Sequence, residues 1–174
     1  VRSSAASECI RDSPITLTSG GVLTATLSYN AAGQRAGYSV VVGTSPYYSA
    51  QFSYRGAELG QAVIVSGTSS YTDTYLYDQG GHPLELLRQT KSGSTLSLAR
   101  YWYEVDGRGN VVALTDITGT VVDRYTYDAW GNLSSSSESV PQRLRYGSYW
   151  YDQEFGWYWV SIRYYDPALG RWLQ

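Results

Sequence analysis

One pattern constrains this sequence more than any other: D-x-Y-x-Y-D-x-x-G, read from Asp73 to Gly81 and again from Asp123 to Gly131. Side chains two apart on a strand share a face, so Tyr75 and Tyr77, like Tyr125 and Tyr127, are predicted to stand side by side on one wall and form a ladder between repeats. Asp78 and Asp128 then end the strand, since Asp at the first turn position caps the backbone and Gly three residues on suits a type I turn. Gly81 and Gly131 fill that place. Looser copies run from Leu27 through Asn30 to Gly33, and from Tyr103 through Asp106 to Gly109. A stretched copy runs from Arg163 to Gly170. Each unit reads as strand, turn and return strand; the uneven spacing of the acidic positions argues against a strict solenoid.

The rest of the sequence agrees with this reading. Helical periodicity is almost absent, whereas short strands bounded by Gly, Ser, Asn or Asp are dense. They are predicted over 22–29, 38–42, 47–54, 62–66, 71–77, 84–89, 96–104, 111–115, 121–127, 143–146 and 157–164. The expected fold is all-β: irregular antiparallel β-hairpin repeats forming a continuous twisted ribbon or wall. The chain is expected to divide into a lead segment (1–21), hairpin repeats (22–133), a Ser-rich loop (134–142) and a closing block (143–174) that carries Trp150, Trp157, Trp159 and Trp172. Composition bears on the wall itself. With 18 Tyr and 6 Trp against 2 Phe, the chain uses amphipathic rings, which suit a thin sheet that meets water at many points.

Charge and cysteine content exclude several functions. A formal net charge of -2 without a basic run argues against nucleic acid as a partner. No apolar run approaches the roughly 18 to 20 residues of a membrane-spanning helix. Cys9 is the sole cysteine, so the chain makes no internal disulfide and no thiolate zinc site. The lack of Met, at position 1 as elsewhere, suggests a fragment or a processed product.

Candidate sites resolve to structure when weighed residue by residue. His82, the only histidine, sits in a Gly-Gly-His-Pro turn without a nucleophile elbow. Asp152 and Glu154 are expected as surface charge or as partners of Arg163 or Arg145. Gly107-Arg108-Gly109 is expected as a tight hairpin, and Asp106 to Asn110 as a turn lacking the acidic alternation of a calcium loop. Tyr47-Tyr48 and Trp150-Tyr151 are assigned to wall packing, with sugar stacking as the competing use. No catalytic, cofactor-binding or metal-binding residue is assigned.

The closing block carries the most specific signal. Arg145-Tyr146-Gly147, Asp152 to Tyr158, and the run Arg163-Tyr164-Tyr165-Asp166-Pro167-Ala168-Leu169-Gly170-Arg171-Trp172 resemble the RHS-associated core signature. With the repeats upstream, they resemble YD-repeat or RHS-repeat proteins, which occur in bacterial polymorphic toxins, wall-associated toxins and toxin-complex components, with teneurins as animal relatives. The resemblance covers residues 70–174 well and 22–69 loosely. It implies a β-ribbon that spirals into a hollow shell, often around a toxic C-terminal passenger, with the core block helping to close it, at the cell surface or outside the cell. Family members that cleave themselves use an aspartate pair beyond the arginine-tyrosine-tyrosine-aspartate-proline motif. Asp166-Pro167 matches the upstream structural motif, so no protease role is expected of it. The partners expected are the remainder of a parent shell, or further copies of the chain through open β-edges, and a toxin passenger. A self-assembling extracellular fibre subunit is the alternative, and a self-cleaving peptidase or glycan hydrolase the remotest one.

Overall fold

The turns organise the molecule. In the computed structural model, which describes residues 15–19 and 23–173, five turns share one hydrogen-bond scheme, at 30–34, 78–82, 106–110, 116–120 and 128–132. In each, the first residue's amide donates to the fifth residue's carbonyl, and the glycine amide donates back to the first residue's carbonyl. The first side chain accepts from the third and fifth amides, as Asp106 Oδ1 does from Arg108 (2.8 Å) and Asn110 (2.9 Å). Gly33, Gly81, Gly109, Gly119 and Gly131 take φ between 76° and 90°, a left-handed conformation that strains any residue with a Cβ. This is the three-residue hairpin loop closed by a glycine bulge. The copy at Asp116-Ile117-Thr118-Gly119 falls outside the repeats recognised in the sequence.

Between the turns lie β1 (Ile15–Ser19), β2 (Leu23–Tyr29), β3 (Arg35–Val42), β4 (Ser45–Arg55), β5 (Glu58–Ser66), β6 (Ser69–Tyr77), β7 (Pro83–Ser92), β8 (Thr95–Val105), β9 (Val111–Asp116), β10 (Val121–Tyr127) and β11 (Leu133–Glu138). They pair in sequence order as one antiparallel meander. The expected all-β ribbon is therefore present. Two-residue turns that begin with glycine, at Gly43, Gly56, Gly67 and Gly93, close other hairpins. A positive φ at the first central residue is what a type II′ hairpin requires.

A second sheet of β12 (Trp150–Asp152), β13 (Trp157–Val160), β14 (Arg163–Asp166) and β15 (Arg171–Leu173) forms the closing block. It packs on one face of the ribbon, where Phe52 meets Trp150 edge-on at 4.8 Å and Tyr29 meets Trp159 at 5.8 Å. Ala25, Leu27, Val40, Ala50, Ala62, Ile64, Tyr75, Leu86 and Leu114 line that buried face.

Several local expectations are corrected. Ile15–Ser19, assigned to the lead segment, pairs with β2. Ser134–Ser139, expected as a loop, contributes most of β11, because an edge strand held by its ladder to β10 needs no apolar side chains. The stretch 143–146 is irregular, with an isolated bridge from Leu144 to Trp150 and a 3-10 turn over Tyr146–Ser148. Arg143, Leu144 and Arg145 are all buried, so their side chains do not alternate between faces. The predicted strand 157–164 is two strands, since Val160 pairs with Arg163 across a Ser161-Ile162 turn in which Ser161 adopts φ 55°. No Gly, Pro, Asn or Asp marks that turn in the sequence. Cys9 lies outside the described residues.

Candidate functional site: the ionic seam between ribbon and closing block

Three guanidinium groups, of Arg35, Arg143 and Arg145, fasten the block to the ribbon, and a fourth, of Arg88, holds the segment that leads into it. Arg35 on β3 is 1% exposed and donates to Asp152 Oδ2 at 2.6 Å and to the Tyr164 hydroxyl at 3.0 Å. Its guanidinium lies 4.8 to 5.9 Å from the ring centres of Phe52, Tyr38, Trp159 and Trp150. Asp152 also accepts from the Trp150 indole at 2.9 Å and from the Tyr164 hydroxyl at 2.8 Å. The carboxylate thus closes a network that joins β3, β12 and β14.

The other three follow the same plan. Arg88 is bidentate to Asp73 across the β6–β7 ladder, at 2.7 and 2.6 Å, lies over the Tyr71 ring, and donates to the Pro141 carbonyl at 2.6 Å. Arg143 is bidentate to Glu154, at 3.1 and 2.7 Å, and lies over the Tyr48 ring. Arg145 lies over the Tyr125 ring and donates to Glu138 at 2.6 Å. Bidentate geometry and a flat apolar stacking face are what arginine offers and lysine does not.

Burial sets the electrostatics. It is the largest single influence on Arg35 and works against its charge, but Asp152, Tyr164 and Tyr54 together outweigh it and drive the guanidinium pKa upward. Burial also raises the Asp123 carboxyl, opposed by the amides of Val140 and Ser139 that bond it. Desolvation is the largest cause holding the phenols of Tyr38, Tyr48, Tyr75, Tyr103, Tyr125 and Tyr164 above their ordinary range. The turn carboxylates behave oppositely. The His82 amide at Asp78, the Thr118 hydroxyl at Asp116 and the Asn132 amide group at Asp128 lead the bonds that lower those pKa values.

The repeat residues occupy two places. Tyr75, Tyr103 and Tyr125 are buried on the ribbon face, with Tyr77 and Tyr127 partly buried beside them, while Asp78, Asp106 and Asp128 cap turns closed by Gly81, Gly109 and Gly131. The expected tyrosine ladder is interrupted. Tyr75 stands opposite Leu86, and Tyr103 opposite Leu114, so aliphatic side chains separate the rings.

In the closing block, Tyr164 joins the seam, Tyr165 donates to the Trp130 carbonyl at 2.8 Å, and Asp166 accepts from the Ala168 amide. The Pro167 carbonyl accepts from Asn132 at 3.1 Å. Gly170 sits where a Cβ would lie 3.1 Å from the Trp130 ring. Arg171 pairs with Asp166 across β14–β15, and Arg163 stacks on Trp172 at 4.6 Å.

One expectation falls here. Asp152 and Glu154 are not surface charge and do not pair with Arg163 or Arg145; their partners are Arg35 and Arg143. Tyr48 and Trp150 are buried, which removes them as sugar-stacking surfaces. Arg35 and Arg88 belong to the seam without having been singled out in the sequence. A charged residue inside an apolar alternation, such as Asp73 and Arg88 on facing strands, was the available signal.

A sequential β-meander capped by Asp-x-x-Gly turns and closed by an arginine-clamped C-terminal block defines a class of repeat-built wall proteins. The chain belongs to the Teneurin YD-shell family, whose family model matches residues 16–174. It is 32% identical over 152 residues to the tRNA3(Ser)-specific nuclease WapA of Bacillus spizizenii, covering 86% of this chain and 6% of that protein. It is 29% identical over 137 residues to the double-stranded DNA deaminase toxin A of Burkholderia cenocepacia, covering 71% of this chain and 10% of that one. Its fold superposes on a chain of the TcdB2-TccC3-Cdc42 crystal structure with TM-score 0.71 at 17% identity, covering 92% of this chain and 8% of the other. The Photorhabdus luminescens Tc holotoxin pore gives TM-score 0.70 at 16% identity over the same shares. The chain therefore spans 6% of the nuclease relative, 10% of the deaminase toxin and 8% of each of these two solved chains.

Proposed function

We propose that this chain is a non-catalytic stretch of shell wall, in which the hairpin repeats of residues 22–133 build the sheet and residues 143–174 close it. The observation that carries this reading is the seam. Three buried arginines, each paired with a carboxylate and set over a ring, lock the block across the ribbon face, and Arg88 anchors the segment leading into it at the Pro141 carbonyl. Such pairs contribute little net stability but strongly penalise the loss of either partner, which suits a latch that fixes one arrangement. The tyrosines, turn aspartates and glycines of the repeats serve as wall hardware, and the Arg163 to Trp172 run as block hardware.

The relatives named as a nuclease and a deaminase toxin are ten or more times longer than the matched region, which supports placing their named activities in other parts of those proteins. By this reading the parent of this chain is an extracellular or cell-surface protein whose wall encloses a C-terminal passenger. Electron microscopy of the full-length parent tests it: a hollow particle is expected, with the passenger resistant to protease. Regular filaments formed by this chain alone would instead support the fibre subunit, and a protease-accessible passenger would refute enclosure.

A further inference from the structure

The two close copies of the repeat differ at one cross-strand position. In the first, Asp73 stands opposite Arg88, which takes it in a bidentate pair. In the second, Asp123 stands opposite Glu138, so two carboxyls meet where the first copy sets an anion against a cation. Like charges directly opposite on neighbouring strands destabilise a sheet. Between them lies the Tyr125 hydroxyl, 3.0 Å from Asp123 Oδ2 and 2.7 Å from Glu138 Oε1. A phenol carries a single proton, and an ionised carboxylate only accepts. One of the two contacts therefore takes its proton from the carboxyl side. The seam's other bridging phenol has no such conflict, since Tyr164 accepts from Arg35 and donates to Asp152.

The surroundings say which carboxyl holds the proton. Arg145 donates to Glu138 Oε1 at 2.6 Å, so the guanidinium keeps the negative charge there, on a side chain that is 27% exposed. Asp123 is 1% exposed, and among the described residues no cation pairs with it. Its Oδ1 accepts from the Ser139 and Val140 amides at 2.8 and 2.9 Å, which leaves Oδ2 to the phenol. β9 sets Leu114 opposite it, and β8 contributes Tyr103, a phenol that burial holds neutral. Arg88 is taken up by Asp73, and Arg124 is exposed on the other face of β10. Tyr127 and Tyr151, which lie near Arg145, are likewise neutral. Desolvation, the largest influence on Asp123, favours its uncharged form.

We infer that Asp123 and Glu138 hold one proton between them near neutral pH, seated on Asp123 Oδ2, and that this proton is part of the latch that fastens the closing block. The hydrogen bonds then run one way: Asp123 Oδ2–H donates to the Tyr125 oxygen, Tyr125 donates to Glu138, and Glu138 accepts from Arg145. Two carboxyls face one cation without surplus charge. Loss of the proton leaves two anions on one phenol and one guanidinium, and the repulsion falls on the Glu138–Arg145 contact by which β11 holds the block. An acid whose folded midpoint lies above its unfolded value contributes fully below the unfolded value, about 3.9 for Asp, and that contribution is lost as the pH rises through the folded midpoint. Acid therefore tightens this end of the seam and alkali loosens it, while the Arg35 end keeps one carboxylate to one guanidinium. The latch lies wholly within the described residues, so it is the same in a shell wall and in a fibre.

The test is a carbon-13 titration of the whole chain labelled at its aspartate carboxyls. At about pH 6, where an ordinary aspartate is ionised, the Asp123 resonance should still be that of the protonated acid. Glu138→Gln removes the second anion and frees the phenol for Asp123, so the Asp123 midpoint should fall by about one pH unit or more, which loss of a merely structural side chain would not produce. Asp123→Asn puts an amide donor where the proton sits. Relative to the unaltered chain, its folding equilibrium constant in urea unfolding should rise about tenfold or more between about pH 5 and pH 7. Through that range the folded unaltered chain binds a proton that its unfolded form does not, and the variant has none to bind. Should Asp123→Asn fail to fold, which circular dichroism reports, the titrations of the unaltered chain and of Glu138→Gln decide. An Asp123 carboxyl already ionised at about pH 6, a midpoint that Glu138→Gln leaves in place, or a stability difference for folded Asp123→Asn that is independent of pH overturns the inference.

Discussion

Raising the pH past 10 will unfold this protein in one cooperative step, because the fold buries phenols that the unfolded chain ionises. Tyr38, Tyr48, Tyr75, Tyr77, Tyr103, Tyr125, Tyr127, Tyr158 and Tyr164 all have their pKa raised, with desolvation the largest cause in each. For an acid whose folded pKa exceeds its unfolded value, stability is intact below the unfolded pKa, about 10 for tyrosine, and is lost above it. Each ring that stays neutral in the fold then costs about 0.8 kcal/mol at pH 10.5 and about 1.4 kcal/mol at pH 11. Together these rings remove on the order of 10 kcal/mol by pH 11, comparable with the roughly 5 to 15 kcal/mol that holds a domain folded. Tyrosinate absorbance at 295 nm and near-ultraviolet circular dichroism, followed on one titration, provide the assay. The expected result is a steep joint transition in both signals between about pH 10.5 and 11.5. A gradual rise in absorbance centred near 10, with the dichroism unchanged, would refute the reasoning.

Other perturbations probe the seam and the turns. Arg35→Ala leaves Asp152 buried without its cation and should cost about 3 to 5 kcal/mol in urea unfolding; Asp152→Ala should cost a similar amount, and the double variant less than the two combined. Gly81→Ala meets open space and should cost about 1 to 2 kcal/mol of left-handed strain, whereas Gly131→Ala adds a Cβ 2.7 Å from the Tyr146 ring and should cost more in the same assay. The turn carboxylates of Asp78, Asp116 and Asp128 have lowered pKa values, so their contribution is present above about pH 4 and is lost as the pH falls through the folded values. Asp128→Asn should keep the turn, as Asn30 does in its own copy, while flattening the melting temperature against pH below 4.

The sequence was most legible where one residue type answers one backbone requirement. Asp106 and Gly109 define their turn locally, so spacing alone revealed it. Arg35 carries no such mark. Its partner is Asp152, 117 residues away, and only the docking of the second sheet brings them together. Glu154 differs in that its partner Arg143 is only 11 residues away in the same block, yet its pattern with Asp152 reads as exposed charge until the block's own fold buries the pair. Ser134 to Ser137 failed for a different reason: strand pairing there is a backbone property, set by the neighbour β10 and by no preference of serine.

By itself, then, the order of residues determined the hairpins, because the φ demanded by a glycine turn and the alternation of a strand are satisfied within a dozen neighbours. The tertiary structure alone decided which charges are buried and how the block is latched. Those outcomes depend on distances between segments remote in sequence, where burial turns an ordinary arginine into a costly one unless a carboxylate meets it.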